Sequence, residues 1–383
     1  MLKVYQANLK RIVLFFFSAW SLDFLGSCRW RFLNILKLSF YPIYVFLGVT
    51  GEAFHVLVQM EDYSDLVEFA FSIAMGLAMF QCVMIYLVII IYNRKRITEI
   101  FEYFEGLVAS SDPIMSKIRQ KHFTTNTRIA YICARLFLTS TIVCWFLIFA
   151  FATIRSGFTS PMFFLLPGIP RDSIFFYPVN LVNQTFLFFS AYELIMVSDI
   201  IIMITIVCCK AELDAIAELI ATLNHEDLAA NEGRVIVRKV YEIHMNLAVQ
   251  ADKLTIAFWH IYLQKLLVIM LYLCSMFLIF QEKDGFSYEA ICSIFVILSQ
   301  TFILCYFGQI IMNSSEVMSD SFYMTKWYEL DIRAQKNLLI LMMRFQHPVK
   351  VETFGFGTIS LYTFVQICKI SFSYAAILYA LFN

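Results

Sequence analysis

Seven stretches of this 383-residue chain are apolar over a length sufficient to cross a bilayer. A helix of about 20 residues covers roughly 30 Å of hydrocarbon. The stretches run approximately over 39–60, 65–92, 129–154, 181–209, 255–280, 287–312 and 353–383. Lipid offers backbone polar groups no partners, so each stretch must be a helix that closes its hydrogen bonds within itself. The expected fold class is an all-α integral membrane protein with seven transmembrane helices. Composition points the same way: 60% of residues are hydrophobic and 15% charged, against about 25% charged in an ordinary soluble domain. Mean hydropathy is +0.72. A formal net charge of zero gives no electrostatic footing for nucleic acid.

Basic residues set the orientation, because Lys and Arg accumulate in cytoplasmic loops. Of the 29, 23 lie before the first stretch or in 93–128, 210–254 and 313–352. Only Arg155, Arg171 and Lys283 lie in the alternate loops, and Arg135, Lys265 and Lys369 fall within spans. The N-terminus is expected to be cytoplasmic and the C-terminus extracellular, opposite to a G-protein-coupled receptor. None of the ten Cys lies in the long outer loop 155–180, so the disulfide that usually pins that loop in rhodopsin-like receptors has no donor.

No catalytic constellation is present. The six His (55, 122, 225, 244, 260 and 347) lack metal-ligand spacing with one another or with Cys, and there is neither a G-x-S-x-G nor a phosphate-binding Gly loop. The chain reads as no enzyme, with no cofactor and no metal.

One membrane domain fills 1–383. Its N-terminal part, 1–38, holds a short apolar run, 11–20, too short to span and followed by Asp23 and Gly26; we read it as an interfacial or re-entrant helix. Residues 39–312 carry six spans. The stretches 211–223 and 234–253 keep helical spacing (Leu213, Ile216, Ile220 and Leu223) and extend the spans into a cytoplasmic bundle. In the segment 313–352, residues 319–346 read as a further helix. Residues 353–383 form the last span. The outer loop 155–180, with Pro161, Pro167, Gly168 and Pro170 among Phe163, Phe164 and Phe176, reads as an ordered lid.

Charges inside spans are costly and mark a partner or a function. Arg135 in the third span and Asp199 in the fourth fall at similar depth and are expected to pair. Glu193 has no assigned partner, and Lys265 is close enough to the inner surface to snorkel.

In the last span Thr363, Gln366, Ile370, Ser373, Ile377 and Ala380 form one stripe, polar in its inner part and apolar in its outer part. The stripe fits either an aqueous path narrowing to a hydrophobic ring at Ile377 or a packing seam against neighbouring helices.

The order Tyr306, Gly308, Ser314-Ser315, Trp327, Gln335, Arg344, Gln346, Pro348, Phe364 and Lys369 over 306–370 resembles the C-terminal signature of insect odorant receptors, and the layout matches that family over the whole chain. The resemblance implies a subunit of a tetrameric, ligand-gated, non-selective cation channel in the plasma membrane of a sensory neuron, its pore lined by 353–383. Gln366, Ser373, Ile377 and Ala380 would then be pore and gate residues, with Ile377 at the gate; the family's co-receptor carries a Gln near the place of Ala380. The second cytoplasmic loop lacks the co-receptor's long insertion, so the chain is similar to an odorant-tuning subunit that assembles with the olfactory co-receptor. Trp327, Leu338, Leu341 and Phe345 are the expected subunit contacts. The expected ligand is a small volatile odorant, the permeant ions are cations and the surroundings membrane lipid.

Such a ligand fits a concave, mostly apolar wall with few polar groups in the outer half of the bundle. Helical spacing offers Phe69, Ser72 and Ile73; Leu138, Thr141 and Trp145; Phe188 and Tyr192; and Tyr288 and Ile291. Trp145 and Tyr192 lead because each joins a large apolar face to one hydrogen-bond donor. The alternatives are a gustatory-type channel and, further off because of the opposite orientation, a G-protein-coupled receptor; Tyr362-Thr363-Phe364-Val365-Gln366-Ile367 only partly imitates the gustatory family's Thr-Tyr and Gln-Phe signature. The sequon Asn183-Gln184-Thr185 lies outside but at a span edge.

Overall fold

The computed structural model describes residues 10–11, 13–18, 20, 31–54, 57, 66–108, 113–155, 169, 172–224, 226–282, 288–353 and 357–382. Residues 156–168, expected as a lid, and most of the turn between the first two spans lie outside these. The short run beginning at 11 is helical over 13–18. It is followed by α1 (Arg31–Phe54), α2 (Leu66–Tyr86), α3 (Arg94–Val108), α4 (Pro113–Arg155), α5 (Phe176–Ala221), α6 (Glu226–Glu282) and α7 (Tyr288–Tyr323). Then come α8 (Ile332–Phe345), a two-stranded antiparallel hairpin of β1 (Glu352–Thr353) and β2 (Gly357–Thr358), and α9 (Leu361–Phe382). Seven of these helices are long and apolar enough to cross a membrane.

Three helices far exceed a bilayer's thickness. At 1.5 Å per residue, α4 with 43 residues, α5 with 46 and α6 with 57 are about 64, 69 and 86 Å long. The helical spacing of 211–223 and 234–253 thus continues the spans without a break. Pro113 opens α4, where a missing N–H costs nothing. The α2 helix ends in a π-turn over Leu87–Tyr92, closed by Asn93 N–H donating to Val88 O at 2.9 Å. The Asn93 side chain then donates to Ala257 O of α6 at 3.0 Å.

The core is built around α5. Its most apolar window is 94% buried, against 22–61% for the other spans, because it is apolar on every side and touches α1, α2, α3, α4, α6 and α7. Where the helices run on beyond the apolar spans, Arg119 of α4 grips Glu212 of α5 with Nε at 3.1 and 3.0 Å and Nη2 at 2.5 Å. The same guanidinium donates to Leu107 O of α3 at 3.3 Å, so one buried side chain fastens three helices.

Two expected boundaries change. The helix expected over 319–346 is broken: α7 stops at Tyr323, and a 3-10 turn, Trp327–Glu329, separates it from α8. Gln335 Nε2 holds that turn through Tyr328 O at 3.1 Å and Leu330 O at 2.8 Å. The last span begins at Leu361, not 353, because the hairpin occupies the first residues; Gly357 takes φ +72° there, a conformation glycine adopts at little cost.

Candidate functional site

The residues of the 306–370 signature seat the connector that leads into α9. Gly308 lies so close to it that an added Cβ would stand 2.3 Å from Ile359 O. Ser315 Oγ accepts Val349 N–H at 2.7 Å, Gln309 Oε1 accepts Leu361 N–H at 3.4 Å, and Thr353 Oγ1 donates to Trp259 O at 3.2 Å.

From this seat α9 runs along α6 and α7. Its packed row is Thr363, Ile367, Ser371 and Ala375, each at most 5% exposed and spaced by four, one row of a helix surface. Ser371 Oγ donates to Met270 O of α6 at 3.1 Å, Ala375 meets Cys274, and Phe364 meets Phe302 of α7 at 5.6 Å. The stripe noted in the sequence divides: Thr363 joins the packed row, Gln366 and Ile370 are half-buried, and Ser373, Ile377 and Ala380 are exposed. Within one chain the packing seam is therefore a different row of residues.

On the other side of α6 lies a narrow cavity of about 40 Å³, lined by Ala78 and Gln81 of α2, Trp145 and Ile148 of α4, Ile195 of α5, Val268, Ile269 and Tyr272 of α6, and Ser293, Val296, Ile297 and Gln300 of α7. Trp145 is its aromatic wall. The indole packs on Phe188 at 4.7 Å and on Tyr192 at 5.2 Å, and its Nε1 is buried without a hydrogen-bond partner among the described residues. Thr141 spends its proton on Phe137 O at 2.6 Å, so the 3.0 Å contact to Tyr192 is a bond that the tyrosine donates. Beneath the cavity, Asp199 of α5 accepts from Lys265 of α6 and, at 2.6 Å, from Gln300 Nε2 of α7.

Leu138, Thr141, Trp145, Phe188 and Tyr192 lie against one another, and of the five Trp145 lines the cavity. Ile73, Tyr288 and Ile291 are not, at 37%, 58% and 42% exposed: they lie on outward faces, Tyr288 stacking on Phe151. Phe69 is half-buried and does not line the cavity, and Ser72 is buried near Glu52 of α1. The α6 wall and the amides Gln81 and Gln300 went unnoticed in the sequence; two amides in apolar spans were the available signal. The expected Arg135–Asp199 pair does not form. Arg135 is exposed, and Lys265, expected to snorkel, is 0% exposed and holds Asp199.

The residues expected as subunit contacts are mostly packed within their own chain. Leu338, Leu341 and Phe345 are 1–2% exposed within their own chain, Phe345 packing on Phe322 and His244. Trp327 is half-buried. The free face of α8 instead carries Ile332, Leu339, Ile340 and Met343, at 60–71% exposure.

A family model described as 7tm Odorant receptor matches residues 65–372. The chain belongs to the odorant receptor family. It is a multi-pass membrane protein and a receptor-type protein, not an enzyme. Its fold superposes on olfactory receptor OR5 of the insect Machilis hrabei, solved in complex with eugenol, with a TM-score of 0.81 over 99% of this chain and 98% of that one at 13% identity. A second OR5 structure gives 0.77 over 92% of each chain. Among Drosophila melanogaster proteins, odorant receptor 85f is 30% identical over 89 residues, and odorant receptor 49a is 30% identical over 98. These alignments span 23% and 25% of this odorant receptor and 22% and 25% of the relatives.

Proposed function

We propose that this odorant receptor is the odorant-tuning subunit of a ligand-gated, non-selective cation channel, assembled with the olfactory co-receptor as a tetramer in the plasma membrane, N-terminus inside. The volatile binds the cavity walled by Trp145, and α9 lines the pore. The observation that carries the reading is that α6 and α7 line the cavity with one face and clamp α9 with another. A cavity of about 40 Å³ has room for roughly one water molecule, so a volatile enters only by parting its walls. Moving α6 shifts Met270 and Cys274 together with Val268, Ile269 and Tyr272, and α9 follows. An odorant opens the channel to the extent that it binds the widened arrangement more tightly.

Support for α9 as the pore wall comes from Gln366, Ser373, Ile377 and Ala380, which stand outside the row that packs on its own chain. Exposed apolar side chains on the free face of α8 suit a neighbouring subunit. The test is to co-express the chain with a co-receptor and record current over an odorant panel. Odorant-evoked cation current that needs this chain supports the reading. A surface-expressed assembly that answers no odorant, or an N-terminal tag reached by antibody on intact cells, overturns it.

A further inference from the structure

A larger hollow lies on the opposite face of α5. Between residue 20, α1 and α5 is a crevice of about 660 Å³, within the size range of small-molecule sites. Its mouth is rimmed by Phe40, Val182 and Phe186, each more than half exposed and each on a helix long and apolar enough to cross a membrane. Its interior is not purely apolar. Trp20 and Tyr41 are 4% and 8% exposed, and among the described residues Trp20 Nε1 is buried without a hydrogen-bond partner. The Tyr41 hydroxyl faces Ser190 Oγ, which donates to Leu187 O at 3.0 Å and keeps a lone pair for the tyrosine. Glu193 also lines the crevice and forms no ion pair or hydrogen bond among the described residues.

An indole donor and a carboxyl left open beside the Tyr41 hydroxyl in an apolar cleft are costly unless something completes them. We infer that this crevice binds a bilayer-resident amphiphile with a hydroxyl on an apolar body, of the sterol or long-chain-alcohol type. A hydroxyl both accepts and donates, so it can take the Trp20 N–H and give its proton to Glu193, while its apolar body fills the wall of Phe40, Phe186 and Phe189. The site is distinct from the cavity at Trp145: Phe188, Tyr192 and Ile195 point from α5 to that side, Phe186, Phe189 and Glu193 to this one. It also lies away from α9, which packs on α6 and α7.

The experiment uses the full chain co-assembled with a co-receptor in lipid vesicles, with two diazirine probes, a sterol and a hexadecanol, and peptide mapping after illumination without any odorant. The expected result is labelling concentrated in 31–54 and 181–193 and competed by the unlabelled alcohol. Tyr41→Phe and Glu193→Leu should lower it several-fold, whereas Glu193→Gln, which still accepts, should retain most of it. Protein folding is checked by monodisperse elution of each variant. Labelling spread over all lipid-facing helices, or unchanged in both Tyr41→Phe and Glu193→Leu, overturns the inference. The preparation rests on the proposed assembly with a co-receptor, but because no odorant response is read, these outcomes do not depend on odorant gating at the Trp145 cavity.

Discussion

Lys265 donates to the carboxylate of Asp199 in the middle of the helix bundle, with the two side chains 1% and 5% exposed. Gln300 completes the carboxylate from a third helix. Removing one member of such a pair strands the other charge, at about 3–5 kcal/mol, whereas removing both at once costs far less. Lys265→Met and Asp199→Leu should each abolish most surface expression, and the double substitution should restore much of it, read by surface biotinylation. Arg135→Ala should leave expression unchanged, since Arg135 faces outward. A double substitution no better than the singles would show that the pair is not the source of the loss.

Trp145 offers the cavity an indole N–H with no other partner among the described residues. Trp145→Phe keeps the ring and removes the donor, so odorants with a hydrogen-bond acceptor should lose about three- to tenfold in sensitivity, the value of one hydrogen bond. Hydrocarbons of equal size should lose little. Trp145→Ala should weaken both classes without changing ion permeability. Dose–response curves for matched ketone and alkene pairs make the measurement, and equal losses in Trp145→Phe would remove the donor role.

The Tyr192 hydroxyl braces α5 against α4 through Thr141. Tyr192→Phe should cost about 0.5–1.5 kcal/mol, visible as a lowered unfolding temperature of the detergent-solubilised chain. Thr141→Val should give the same loss and add nothing to Tyr192→Phe, because either change breaks the one bond.

At Gly308 a methyl group has nowhere to go, since Ile359 O would stand 2.3 Å from it. Backbone on the far side cannot swing away as a side chain can. Gly308→Ala should push the connector off α7, misplace α9 and abolish odorant-evoked current even in receptor that reaches the surface. Current recorded beside surface labelling separates that outcome from simple misfolding.

Apolar run lengths were enough to place seven spans, and helical spacing carried α5 and α6 beyond the membrane. Partner choice inside the bundle was not legible in the same way. Depth along the chain put Arg135 near Asp199, but rotation about the helix axis decides which residue faces which, and α4 turns Arg135 outward. The α6 wall was missed for the same reason: Val268, Ile269 and Tyr272 look like any other apolar residues in a span. The hairpin was hidden because Thr353 and Ile359 continue the apolar run, although Gly355 and Gly357 interrupt it with the residue type that turns favour.

Ile377 is 55% exposed on α9, four residues beyond Ser373 and on a face that does not pack against its own chain. If four such helices surround one axis, a ring of apolar side chains at this level closes the path by excluding water. Ile377→Ser should therefore raise basal current in the assembled channel and leave odorant potency at the Trp145 cavity little changed. Ala375→Ser, on the packed row against Cys274, serves as the contrast and should leave basal current unchanged. Voltage-clamp recording of basal current before any odorant is applied decides between them. An unchanged Ile377→Ser current would put the gate elsewhere on α9 or on the partner subunits alone.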